Sequence, residues 1–222
     1  MNPALIRLLQ LVSPALPVGA YTYSQGLEWA VESGRVNSEA DALDWIGDCL
    51  QFGLLRFEAV YLAHMLTAWE QGDMARLAEL DAEFIASRET AELRAETLQM
   101  GYSLARLLTD LGGFVAPTQA GFNQPSFPLA WSCAAAAWSI PPHDAIGGYL
   151  WGWAENQVMA AVKAIPLGQT AGQRMLLALG EMIAQHAAIA AKLPLDATTN
   201  FLPGLAIASC RHETQYTRLF RS

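Results

Sequence analysis

A single apolar stripe governs what this chain can become. From Leu43 the large apolar side chains recur at Ile46, Leu50, Leu54, Phe57, Tyr61 and Met65, in steps of three and four residues. That rhythm turns one face of a long helix toward a core and does not suit a strand, whose faces alternate every residue. Ser38-Glu39-Ala40-Asp41 resembles a capping box at its start, with aspartate in the usual glutamate place. Gly72 stops it.

The same period returns along the chain. Asp73 caps a helix that buries Leu77, Leu80 and Phe84, and a break falls at Ser87. The stripe Leu93, Thr97, Met100, Leu104, Leu107, Leu111 runs to Gly112-Gly113, and residues 112–126 form a loop. An Ala-rich helix covers Pro128 to Trp138. Pro141-Pro142 opens another through Tyr149, Trp153, Gln157 and Ala160 to Ala164, since proline costs little in a first turn. Gln169 to Lys192 carries Leu176, Leu179, Ile183 and Ala187 on one face. No alternation of period two is sustained, and the sequence has no Gly-rich phosphate loop and no internal repeat. The expectation is an all-α fold, a single-domain bundle of about eight to ten helices over 1–222.

Composition then bounds the setting. Apolar residues make up 53% and charged residues 15%, too few charges to cover a surface unless helices are buried or a partner covers a face. The longest apolar run, Leu129 to Ile140, is interrupted by Ser132 and Ser139 and is too short for a bilayer. The segment Met1 to Arg7 lacks the features of a signal peptide. Cys49, Cys133 and Cys210 are odd in number and far apart, as in a reducing compartment. A cytoplasmic protein without membrane contact is expected. The net charge is −8, and Glu28 to Glu96 holds 15 acids against 5 bases. Nucleic acid is a poor partner for such a chain; the acidic half reads as a solvated face or a surface for a basic partner. His64, His143, His186 and His212 are scattered, and Cys210-Arg211-His212 is the only close Cys/His pair. Two ligands do not make a metal site. No bound metal or cofactor is expected.

Four features invite a functional reading. The stretch Ser13 to Trp29 is stiffened by Pro14 and Pro17, and Ser24 reads as the N-cap of a helix carrying Leu27 and Trp29. Glu28 and Glu32, one turn apart, read as a solvated face rather than a carboxylate pair. Lys163 lies in an apolar run at a helix C-terminus, where it snorkels against the dipole or binds something. Arg211 to Ser222 mixes Tyr216, Leu219 and Phe220 with arginines, a composition that suits an interface or packing on the chain's own body. Cys133 in apolar surroundings is an inert thiol. No complete catalytic set emerges, and no enzyme is expected.

Several stretches together resemble a known family. Leu16-Pro17-Val18-Gly19 with Tyr23-Ser24-Gln25-Gly26-Leu27-Glu28-Trp29-Ala30-Val31-Glu32 is similar to the N-terminal signature of the urease accessory protein UreF family. Lys163 to Gln169 resembles its central motif and His212 to Ser222 its terminal one, while Ser87-Arg88-Glu89-Thr90 with Glu92-Leu93-Arg94 fits a fourth. Ala20 stands where the family often has glycine. The resemblance implies a dimeric, non-catalytic assembly factor that joins UreD (also called UreH) and the GTPase UreG to deliver nickel to apo-urease. It implies a partner-binding tail from about residue 195, ordered by UreD. Glu28, Ser24, Lys163, Tyr216, Arg218, Phe220 and Arg221 become the partner-binding candidates, with Arg88 and Glu89 weaker because an intramolecular ion pair explains them equally well. The alternatives are a GTPase-activating or fidelity-checking regulator of UreG, and a metallochaperone binding nickel through Cys210 and His212.

Overall fold

Ten α-helical segments carry the chain in the computed structural model, which describes residues 2–222, and no strand occurs among them. Their ends follow capping chemistry. Helix α1 (Pro3–Leu11) starts on Asn2, whose side chain accepts from Ala4 N. The short α2 (Leu27–Glu32) follows Gly26, and α3 (Glu39–Asp48) starts on Ser38, whose Oγ accepts from Asp41 N at 3.2 Å. Asp41 closes its box one residue further out than the sequence pattern suggests, accepting from Asn37 N at 3.1 Å. Asp73, Thr90 and Ser126 cap α5 (Met74–Ala86), α6 (Ala91–Leu111) and α7 (Phe127–Ala137) in the same way. Pro142 opens α8 (Pro142–Ala164), and α9 (Gln169–Ala190) and α10 (Pro203–His212) complete the set.

The long stripe is one rod, as the sequence predicts, but not a uniform one. Helix α3 passes into a π-helical stretch, Cys49–Glu58, and then into α4 (Ala59–Gln71), which Gly72 ends in the left-handed conformation. Within the π stretch Gly53, Leu54 and Leu55 are all buried, a wider inner face than the sequence stripe. Gly53 lies directly under Leu202, so this face also receives the segment leading into α10.

Helix α8 is the axis of the bundle. It packs against α9, α2, α4, α3, α7 and α1 and buries Ile146, Leu150, Ala154, Val158 and Ala161. Small residues on it let neighbours approach closely; Gly148 lies against Leu8 and Val12. A second, aromatic cluster of Phe57, Tyr61, Phe84 and their neighbours sits between the π stretch, α4, α5 and α7. Side chains as completely enclosed as Phe84, Leu77 and Leu80 each contribute about 1.5–3 kcal/mol of burial.

Helix α6 departs from the stripe read in the sequence. Leu93, Thr97, Met100 and Leu104 face inward, but Leu107 is only partly covered and Leu111 is exposed; Ala105 and Leu108 take the inner positions. The reason is Gly101, which lets the Pro125–Ser126 backbone lie directly on α6 where a β-carbon would overlap the Pro125 carbonyl. Gly101→Ala should therefore destabilise the protein by about 1–3 kcal/mol through overpacking, despite a gain of roughly 1 kcal/mol in helix propensity. A urea midpoint equal to or above that of the wild type would contradict this.

Candidate functional site: the C-terminal segment on the proline-rich stretch

Residues 213–222 do not fray. They fold back along the stretch from Thr22 to Glu28, and three carboxylates of α2 and α6 receive them. Glu28 is the first. Its Oε1 accepts from Leu219 N at 2.6 Å, and its Oε2 accepts from Phe220 N at 3.0 Å and lies 3.2 Å from His212 Nε2. Glu92 is the second, with Oε2 2.7 Å from His212 Nδ1 and Oε1 accepting from Arg218 Nη1 at 2.7 Å. Glu96 is the third; its Oε2 accepts from Ser222 Oγ at 3.0 Å and its Oε1 from Gln25 Nε2 at 2.8 Å. Main-chain bonds finish the seam. Arg221 N donates to Thr22 O at 2.7 Å, and Ser24 gives both its N–H and its hydroxyl to the Ser222 main-chain oxygen.

The framework behind the seam is equally specific. Gly26 sits at φ 79°, left-handed, against the Ala208–Ser209 backbone, so α2 and α10 meet where no β-carbon fits. Thr90 and Ser209 share a 2.7 Å hydroxyl bond, and Glu213 Oε1 accepts from the amides of Ala91 and Glu92 at the start of α6. Gln25 Oε1 in turn accepts from Trp153 Nε1 at 2.8 Å, which ties the seam to α8. Beside the seam lies a cavity of about 90 Å³, whose lining includes Glu58, Arg88, Tyr149 and Glu96 together with Pro14, Leu16 and Val18. Burial pushes the Glu96 carboxyl up to about 7; the Gln25 and Ser222 bonds oppose the shift and the Glu58 charge adds to it. Tyr149 is raised too, by burial and then by Glu58, to which its hydroxyl donates at 2.7 Å.

The candidates fall into three groups. Glu28, Ser24 and Phe220 are buried in the seam. Two expectations are corrected here. Ser24 is not the N-cap residue of α2, since Gly26 precedes the helix; its hydroxyl donates to the Ser222 main-chain oxygen and accepts from Glu28 N, in the first turn, at 3.4 Å. Glu28 is not on the open edge of its helix but inside, while Glu32 faces solvent. The second group is exposed. Tyr216 is fully open, Leu219 is 71% exposed, and Arg221 and Lys163 also lie outside. Lys163 Nζ, at the end of α8, stands 5.9 Å from both the Tyr21 and Phe220 rings. Arg218 is half-exposed over Glu92. Arg88 forms the third group, in the cavity beside the seam. It pairs with Glu58 at 2.7 Å rather than with Glu89, which accepts from Asn200 Nδ2 at 2.9 Å.

The sequence assigns no role to Glu92 or Glu96. Glu96 does leave a signal, an acid on the apolar face between Leu93 and Met100. Cys133, buried beside the Val115 carbonyl, has its thiol pushed up to about 12 by burial, as an inert cysteine should. No helix among the described residues is long and apolar enough to cross a membrane.

A family model described as UreF matches residues 36–180. The chain is 61% identical to a protein of Azoarcus sp. (strain BH72), over 100% of the chain and 99% of the relative. It is 56% identical to one of Dechloromonas aromatica (strain RCB), over 98% and 97%, and 48% identical to one of Methylobacillus flagellatus, over 99% and 98%. All three carry the name urease accessory protein UreF.

Proposed function

The chain belongs to the UreF family, and from that premise we propose that it serves urease maturation as a non-catalytic scaffold joining UreD (UreH) and the GTPase UreG for nickel insertion into apo-urease. The observation that carries this reading is the seam itself. It draws the N-terminal signature, Lys163 and the terminal motif, dispersed in sequence, onto one face. Buried carboxylates hold the segment while Tyr216, Leu219 and Arg221 stay presented, which is how a rigid binding epitope is built. The groups a hydrolytic reading would need are engaged elsewhere: the Ser24 hydroxyl donates to Ser222, and both ring nitrogens of His212 face carboxylates. The reading includes homodimer assembly in the cytoplasm; α1 leaves Leu5, Ile6 and Leu9 about half exposed, apolar surface suited to cover by another chain. Nickel passes within the assembled complex in this reading. Cys210 is exposed whereas His212 is turned fully inward, so the two do not present ligands together.

Capture of UreD by the immobilised protein tests the proposal. Deleting Arg211–Ser222 should abolish it. The double substitution Tyr216→Ala with Leu219→Ala leaves the hydrogen bonds of the seam intact and should weaken binding by about 2 kcal/mol, roughly thirtyfold, if these are anchor residues. Undiminished capture by both variants would remove the segment from the interface.

A further inference from the structure

We propose that the cavity beside the seam is a binding site for a small planar organic cation, an amidinium or a guanidinium, held on the Glu96 carboxylate. Size sets the first limit. A protein cavity of about 150 Å³ takes up benzene, so one of about 90 Å³ admits something smaller, roughly four heavy atoms. The lining sets the second. It combines apolar side chains such as Leu11, Val18 and Met100 with the rings of Phe127, Tyr149 and Trp153. Tyr21 and Glu155, also in the lining, are only partly buried, which gives the cavity a route to solvent.

Charge in this lining is one-sided. Among the described residues it sets Glu58, Glu96 and Glu155 against a single base, Arg88. Arg88 is committed to one Glu58 oxygen at 2.7 Å and the Tyr149 hydroxyl to the other at 2.7 Å, so that carboxylate is satisfied. Glu96 is not. Its two partners are neutral, Gln25 Nε2 donating to Oε1 at 2.8 Å and Ser222 Oγ to Oε2 at 3.0 Å. Both bonds favour the charged form, yet none of the ion pairs among the described residues includes this buried side chain. A buried carboxylate without a cation is costly. Each of its oxygens has two acceptor sites and uses one, so a donor fork can still engage both.

The remaining groups select the kind of cation. The lining contains no histidine or cysteine, and no cluster of three metal-ligating side chains occurs among the described residues, so a borderline or soft metal ion finds no ligand set there. Aromatic faces and apolar side chains suit a weakly hydrated, delocalised cation better than a compact ammonium. Asn156, another lining residue, gives Nδ2 to the Tyr23 carbonyl at 3.0 Å, which leaves its amide oxygen as a further acceptor. An amidinium or guanidinium brings donors only, the complement of these oxygens. The site stands independently of the scaffold reading, and the free, full-length chain tests it.

The experiment is an NMR titration with acetamidinium chloride at fixed ionic strength and about pH 8, where a carboxyl raised by burial to about 7 is charged. The reporter is the indole N–H of Trp153, which lines the cavity and donates to Gln25 Oε1 at 2.8 Å. A saturable shift with a Kd of about 1 mM is expected, a strength within reach of so small a ligand. Acetamide has the same shape without the charge and should bind at least about tenfold more weakly, and Glu96→Gln should weaken acetamidinium by about the same factor. No saturable shift, acetamide binding as tightly as acetamidinium, or an unchanged Kd in Glu96→Gln overturns the proposal. Should Glu96→Gln not fold, the acetamidinium and acetamide titrations of the wild-type chain decide it.

Discussion

Glu28→Gln should release the C-terminal segment even though the side chain keeps its size. The carboxylate takes two backbone amides and the edge of His212 with two oxygens, at 2.6, 3.0 and 3.2 Å. Glutamine has one acceptor oxygen, and its NH₂ would point at a donor. At least one of the Leu219 and Phe220 amides is then buried without a partner, at about 1–3 kcal/mol. His212, fully enclosed, also loses one of its two anionic neighbours. With the charge-assisted bonds that the second oxygen gives up, the loss should reach about 3 kcal/mol of docking free energy. At about 1.4 kcal/mol per decade, trypsin should cut after Arg218 at least a hundredfold faster in the variant. Equal cleavage would mean that the carboxylate does not hold the segment.

This dependence of a helix on a strand of chain some 190 residues away marks where sequence reading stops. Local chemistry was legible. Ser38, Asp73, Gly72, Gly112 and Pro142 act at the helix ends to which their capping preferences assign them. The stripes of the long rod, α5 and α9 face inward as spaced. Period reading fails where small residues do the packing. On α6 the large Leu107 and Leu111 suggest a face that Gly101 and Ala105 in fact define, because a helix turns its smallest residues toward the closest neighbour. The π stretch escapes for a related reason. Its i→i+5 winding shifts the inner face by less than a residue per turn, within the tolerance of a three-and-four spacing.

In the site, residue identity was legible and orientation was not. Glu28 and Glu32 are chemically alike and one turn apart, so burying an acid on the inner face looks costly until its partners are counted. Those partners are the amides of Leu219 and Phe220, and amides leave no mark in a sequence. The terminal segment likewise suits either its own body or a partner. The structure divides it, with Phe220 and Ser222 inside and Tyr216 and Leu219 outside. For Arg88 an intramolecular ion pair is legible but its partner is not: the turn before α6 carries the guanidinium to Glu58, thirty residues back.

That pair supports the last expectation. Arg88 Nη1 meets Glu58 Oε1 at 2.7 Å with both side chains nearly enclosed, at 9% and 13% exposure. The guanidinium lies 4.4 Å from the Phe84 ring centroid and 5.5 Å from that of Phe57, and the second Glu58 oxygen takes the Tyr149 hydroxyl. Arg88→Met keeps much of the apolar contact but strands Glu58, which should cost about 3–5 kcal/mol of global stability. For a chain of this length the melting temperature should fall by about 10 °C. Adding Glu58→Gln to Arg88→Met should recover more than half of that loss, because most of the single-variant cost is the abandoned charge and not the missing bond. A double variant as unstable as the two single losses added together would show instead that each side chain acts alone.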